Sequence, residues 1–237
     1  MEERVIFYID SLKRFIPNEQ NASILVVAGG KNDVIALSYC GFKNLLITNI
    51  TEKPLNSVEP YYYQKADALS LPFANSSFDY VIISAALHHL PQPHLGLLEV
   101  YRVASKGALV IEAYDNLLMN FFIKCGIAEV YELSAVKRQK NKNGGLNNSE
   151  IPNYVFRWNK KELCKTILAF EPSYKHNIEF YSRLLLPYSW ELRNNICLML
   201  FSKFLNFIFS IIPSQKNLFS AFIHKPKHPD DLQPWLK

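Results

Sequence analysis

Between residues 24 and 111 the chain carries five extended runs separated by stretches of helical spacing, and the apolar ones show no polar alternation. The runs are Ile24–Val27, Leu45–Ile50, Tyr61–Lys65, Tyr80–Ile83 and Ala108–Ile111. A strand that is apolar on both faces must be covered on both faces, which calls for a parallel sheet between two layers of helices. The connectors agree. Asp33–Cys40 follows the first run, and residues 92–104 place Leu95, Leu98, Tyr101 and Arg102 at helical spacing. The pattern predicts a doubly wound α/β fold with a mainly parallel sheet and helices on both faces. Ile178–Tyr181 and Phe219–His224 complete it as a final antiparallel pair, seven strands in all, with a helical insertion before the last. Ligands of such sheets bind at the carboxyl ends of the strands. The residues after Val27, Ile47, Lys65 and Ile83 are therefore the first places to look for chemistry.

The 237 residues show no internal repeat and no linker long enough to divide them, so a single domain over 1–237 is expected. Its core covers about 20–115, and 116–237 holds the substrate-side elements and last strands. Residues 1–16 form a lead-in helix with Val5, Ile6, Ile9, Leu12 and Phe15 on one face, closed by Pro17. Beyond residue 115 a helix over 116–136 is expected, then the basic stretch Lys137–Lys142 in a polar segment, then Tyr154–Trp158 and a helix from Lys160 to Phe170. The basic stretch reads either as a solvated loop or as a lid or anion-steering patch beside a site.

Hydrophobic residues make up 49% of the chain, enough for a substantial core, and the net charge of +5 does not indicate nucleic acid. Cysteines at 40, 125, 164 and 197 have no Cys-x-x-Cys spacing, against a zinc cage or a disulfide framework, and no metal site is expected. The amino terminus lacks the form of a signal peptide, and a cytoplasmic location is expected. In Ile196–Ile212, Ser202, Asn206 and Ser210 recur every four residues beside Lys203. They draw a polar stripe on an apolar cylinder, which suits a buried helix, or one that rests on lipid or lines an oily pocket.

Several segments carry the chemistry: Ala66-Asp-Ala-Leu-Ser-Leu-Pro-Phe73, Ser77-Phe-Asp79, Leu87-His-His-Leu90 and Glu99-Val-Tyr-Arg-Val103. Their order and spacing resemble the class I S-adenosylmethionine-dependent methyltransferases of the small-molecule, type 11-like branch, over residues 23–113. The resemblance implies a Rossmann-like fold, S-adenosylmethionine as cofactor and a small-molecule methyl acceptor. It implies that Asp67 accepts from the adenine amine while the Ala68 amide meets a ring nitrogen, a role suited to an acceptor-only carboxylate. It places Ser84 beneath the methionine portion, with Ala28, Gly29 and Gly30 as the cofactor turn and Asn49 at the ribose.

Against that pattern Val26 stands where an acid is usual, Ala28 replaces the first glycine, Gly30 keeps the second and Asn32 replaces the third. Gly29-Gly30 can still form a turn that lets backbone amides approach a ligand, and Asn32 is expected to tolerate positive φ. Asn49 replaces the acid that grips the ribose, with Asp33 and Glu52 near enough in sequence to compensate. These departures also fit a relative that kept the fold and lost its catalysis for a binding or structural role. Neither a Gly-x-Gly-x-x-Gly nor a phosphate-gripping loop is present, against nicotinamide and nucleotide phosphates. His88 is the first candidate base for a hydroxyl acceptor, with Tyr114 and Asp115 second. Tyr154, Phe156, Trp158, Tyr181 and Trp190 read either as core or as an aromatic wall for an apolar or lipid- or sugar-linked acceptor.

Overall fold

The computed structural model describes residues 2–17, 21–54, 58–185, 216–226 and 231–236, together with Phe204 and Phe207. The segment 196–212, apart from those two phenylalanines, and Trp190 lie outside the described residues. The strands are β1 (Ile24–Val27), β2 (Leu45–Asn49), β3 (Tyr62–Lys65), β4 (Phe78–Ser84), β5 (Ala104–Ala113), β6 (Ile178–Arg183) and β7 (Leu218–His224). They form one sheet in the order β3-β2-β1-β4-β5-β7-β6. The pairs from β3 through β5 are parallel, and β7 lies antiparallel between β5 and β6. The chain winds outward from β1 to β3, then crosses back to lay β4 on the other side of β1. That reversal leaves a crevice over the strand ends.

The missing alternation has its cause in the layers. All four residues of β1 are buried. Val26, with Ile47 and Ile82, faces a cluster built by α1 (Glu3–Phe15) and α2 (Lys31–Cys40). Leu25, Val27, Val81 and Ile83 face the other cluster, with α3 (Pro93–Val103) and α6 (Lys160–Phe170).

In α1 Ile6 turns outward at 36% exposure, while Phe7, Tyr8 and Ser11 are buried beside Val5, Ile9, Leu12 and Phe15. The helix is wedged between two partners. Phe7 stacks on Tyr181 and Phe15 on Phe222, with ring centroids 5.2 and 5.7 Å apart, while the Tyr8 hydroxyl donates to Asp33 Oδ1 of α2 at 2.9 Å. Two packed flanks bury a wider stripe than one.

The helix expected over 116–136 is broken into α4 (Leu117–Lys124) and α5 (Leu133–Arg138). Gly126, at φ +70°, ends the first piece. The Glu132 amide then bonds the Asn153 carbonyl at 2.9 Å, and Tyr131 bridges Tyr154. Long-range pairing thus draws residues 127–132 away from a continuous helix. Among the described residues no helix is long and apolar enough to cross a membrane.

Candidate active site

A cavity of about 570 Å³ opens over the carboxyl ends of the first four strands, a size suited to a small ligand. Ala28 follows β1, Asn49 and Ile50 close β2, Ala66, Asp67 and Ala68 follow β3, and Ala85 and Ala86 follow β4. The opposite wall comes from residues 132–148, including Glu132, Arg138 and Asn147. The basic stretch therefore begins on the cavity wall at Arg138 and Gln139, with all six of its residues exposed to solvent.

Two of the lining alanines sit in the left-handed region, Ala28 at φ +53° and Ala85 at φ +49°. That conformation costs an L-residue about 1–2 kcal/mol, and such strain gathers where a site needs it. Next to Ala28, Gly29 is tightly packed, and a Cβ there would lie 2.8 Å from both Ile47 Cγ2 and Val26 Cγ1. At Gly30 a Cβ would meet nothing within 4 Å. Its amide donates to Asp33 Oδ2 at 2.8 Å, which starts α2. Asn32 does not take the positive φ expected of it. It lies inside α2, and Ala28 supplies the left-handed turn instead. Asp33 does not replace the missing acid, since its carboxylate is buried and bonded to Gly30 and Tyr8. Burial raises its pKa from 3.8 to about 6, despite the opposing bonds from Gly30 and Tyr8. Glu52 is also committed, paired with Lys65 on the surface.

Asn49 braces the turn. Its Nδ2 donates to the Gly29 carbonyl at 3.1 Å, and its Oδ1 accepts from the Ile50 amide at 2.8 Å. One lone pair of Oδ1 and one N–H are left for a ligand. Asp67 is exposed on the cavity wall. Its Oδ1 accepts from the Leu69 amide at 2.9 Å, and its carbonyl from the Ser70 amide at 3.1 Å, so it both caps its turn and faces the cavity. Ala68 is buried beside it. Ser84 ends β4 and is not on the wall, which passes instead to Ala85 and Ala86.

The Glu99–Arg102 pair on α3 holds the loop that carries Asp67. Glu99 Oε2 accepts from the Leu71 amide at 2.8 Å. The Arg102 guanidinium donates to the Leu71 and Phe73 carbonyls at 3.0 and 2.8 Å while pairing with Glu99 at 2.7 Å.

At the edge of the cavity lies a His–Glu cluster. Glu112 is fully buried near the end of β5. Its Oε1 accepts from the Ala86 and Leu87 amides at 2.9 and 2.7 Å, and its Oε2 lies 2.7 Å from His88 Nδ1. His88 Nε2 lies 3.3 Å from Glu132 Oε2, and His89 Nε2 lies 3.4 Å from the same oxygen. Burial alone would lower the His88 pKa, but Glu112 and Glu132 outweigh it and push it up to about 10. Burial likewise opposes ionisation of Glu132, yet His88 and His89 hold it down at about 2. His88 is therefore not a free base. A carboxylate stands at each of its ring nitrogens. His89 is the ring on the cavity wall, its pKa lowered by burial and by His88.

The second candidates do not reach the cavity. Tyr114 is buried against Phe219, and the Asp115 amide donates to the Trp158 carbonyl at 2.8 Å. Of the two readings of the aromatics, core packing holds for Phe156, Trp158 and Tyr181. Trp158 is fully buried, Phe156 packs on it, Tyr181 packs on Phe7, and Tyr154 is 56% exposed. Glu112 and Glu132 were missed from the sequence. The one local signal was an acid inside the apolar run Ala108–Ala113.

A seven-stranded sheet with this order and an antiparallel β7, opening a cavity at the ends of β1 to β4, is the class I methyltransferase fold. Residues 28–111 match the family described as "Methyltransferase domain". It is 32% identical over 130 residues to the ubiquinone/menaquinone biosynthesis C-methyltransferase UbiE of Rickettsia felis, which covers 48% of this chain and 52% of that protein. A demethylmenaquinone methyltransferase of Staphylococcus epidermidis is 32% identical over 83 residues, 35% of this chain and 33% of that one. The chain spans about half, or less, of the length of these curated relatives. Among solved structures, the phosphoethanolamine N-methyltransferase 2 of Haemonchus contortus, in complex with phosphomonomethylethanolamine and S-adenosylhomocysteine, aligns at TM-score 0.56. The two are 16% identical, over 94% of this chain and 53% of that one. A methyltransferase of Methanosarcina mazei aligns at TM-score 0.53, with 15% identity over 90% of this chain and 96% of that one.

Proposed function

We propose that this protein transfers the methyl group of S-adenosylmethionine to an apolar small-molecule acceptor with a quinone-like ring. The observation that carries the reading is the cavity itself, whose floor joins Ala28, Asn49, Asp67 and Ala85 at the ends of four parallel strands. In this reading Asp67 and the Ala68 amide hold the adenine, and Asn49 offers its remaining acceptor to the ribose. The turn at Ala28, Gly29 and Gly30 admits the methionine portion. The sulfonium brings its own activated methyl, so the protein's main task is alignment, worth ~7–11 kcal/mol in favourable cases. The acceptor then lies toward the 132–148 wall, beside His89 and Glu132. The quinone-like class is favoured by the names of the two curated relatives.

The test uses S-adenosylmethionine labelled in its methyl group, with a panel of isoprenoid-substituted benzoquinols and naphthoquinols beside simple polar phenols. Label extracted into organic solvent with a quinol is the expected result. Label retained in water across the whole panel, by a protein that binds the cofactor, would remove the quinone-like acceptor.

A further inference from the structure

We infer that His88, His89 and Glu132 form a binding site for one divalent transition-metal ion of the zinc class, open toward the acceptor side of the cavity. His88 Nε2 and His89 Nε2 converge on one oxygen, Glu132 Oε2, at 3.3 and 3.4 Å, and the three atoms lie within 4.8 Å of one another. Ligands bound at 2.0–2.1 Å around a tetrahedral ion stand about 3.3–3.4 Å apart. The two histidine-to-glutamate spacings are thus those of neighbouring donors around an ion. It is longer than a charge-assisted hydrogen bond, about 2.7–2.9 Å. Glu132 Oε2 is buried and makes no hydrogen bond of good geometry.

The surroundings are arranged as metal sites require. Glu112 lies 2.7 Å from His88 Nδ1, which directs Nε2 toward the cluster, while its other oxygen is held by two backbone amides. Carboxylates behind ligating imidazoles are the usual orienting partners. Asn153 Nδ2 donates to the His88 carbonyl at 3.0 Å, bracing the turn. Two imidazoles and one carboxylate favour zinc-class ions over magnesium or calcium, and three protein ligands leave a position for substrate. His89 and Glu132 both line the cavity, so that position opens into it.

The site stands on this geometry alone; the role assigned to it rests on the methyltransferase reading. The ion would bind an acceptor hydroxyl and release its proton to water. The oxygen lone pair would form the bond to the methyl carbon while the carbon–sulfur pair returns to sulfur, leaving a neutral thioether.

The full chain, produced without a histidine tag and stripped with chelator, is titrated with Co2+ by absorption and with Zn2+ by calorimetry. One equivalent of each, with the visible band of tetrahedral Co2+, is expected. His89→Gln and Glu132→Gln should weaken uptake more than tenfold, Glu112→Gln by 10–100-fold, and His94→Gln, a ring paired with Glu162 away from the cavity, should change nothing. Circular dichroism reports that each variant is folded. No uptake by folded wild type, or uptake indifferent to both His89→Gln and Glu132→Gln, overturns the inference. Because uptake is read without cofactor or turnover, metal binding with a silent cofactor titration would fell the methyltransferase reading and leave the site standing. The reverse pattern would do the opposite.

Discussion

At Gly29 an added methyl would fall 2.8 Å from two branched side chains of the sheet, whereas at Gly30 it would enter open space. Gly29→Ala is therefore expected to lower stability by about 1–3 kcal/mol, the range of overpacking. Gly30→Ala should hold stability within about 0.5 kcal/mol and weaken cofactor binding. Urea unfolding and a cofactor titration on both variants separate the two effects. Asp33 supplies a pH test. Its folded-state pKa is raised by burial to about 6 from 3.8, so the folded state keeps the proton more tightly than the unfolded chain. Stability should fall as pH rises from about 4 to 6, by on the order of 2–3 kcal/mol, and then level off. Asp33→Asn should flatten that slope in urea midpoints measured across the range; an unchanged slope would place the titration elsewhere. From sequence alone Gly30 stood out as the motif's second glycine, whereas the tight packing at Gly29 was not legible, because it comes partly from Ile47, eighteen residues away on another strand.

The loop between β3 and β4 shows how an element can hold a site it does not contain. Glu99 and Arg102 stand one turn apart on α3 and bond Leu71 and Phe73 across the gap, fixing the segment that begins at Asp67. Arg102→Ala is expected to cost about 2 kcal/mol, the scale of hydrogen bonds to a charged group, and to raise the cofactor dissociation constant together with hydrogen exchange at residues 68–73. The Glu99–Val103 segment was recognisable in the sequence through its spacing, but its purpose was not. The break between α4 and α5 was less legible. Gly126 falls inside the helix expected over 116–136, and what turns the chain inward is pairing with Asn153 and Tyr154. Without that break Glu132 would not meet His88, which lies 44 residues earlier.

Across the whole molecule the unalternated strands were readable because burial on both faces dictates their composition, and the carboxyl-end rule located the cavity from them. The four departures from the family pattern also resolve physically. Val26 is core, Ala28 adopts the strained turn, Asn32 is helical, and Asn49 ties β2 to the glycine turn. None of them fills the cavity. The His–Glu cluster was not readable, since it unites β5, the turn after β4 and the segment before α5. The central claim is that this cavity holds the adenosyl cofactor through Asp67. Calorimetric titration of the full chain with S-adenosylhomocysteine tests it most directly. One equivalent should bind, and Asp67→Ala should weaken binding at least tenfold without unfolding the protein. A folded wild type that gives no heat, or an Asp67→Ala variant that binds as tightly as wild type, would contradict the account.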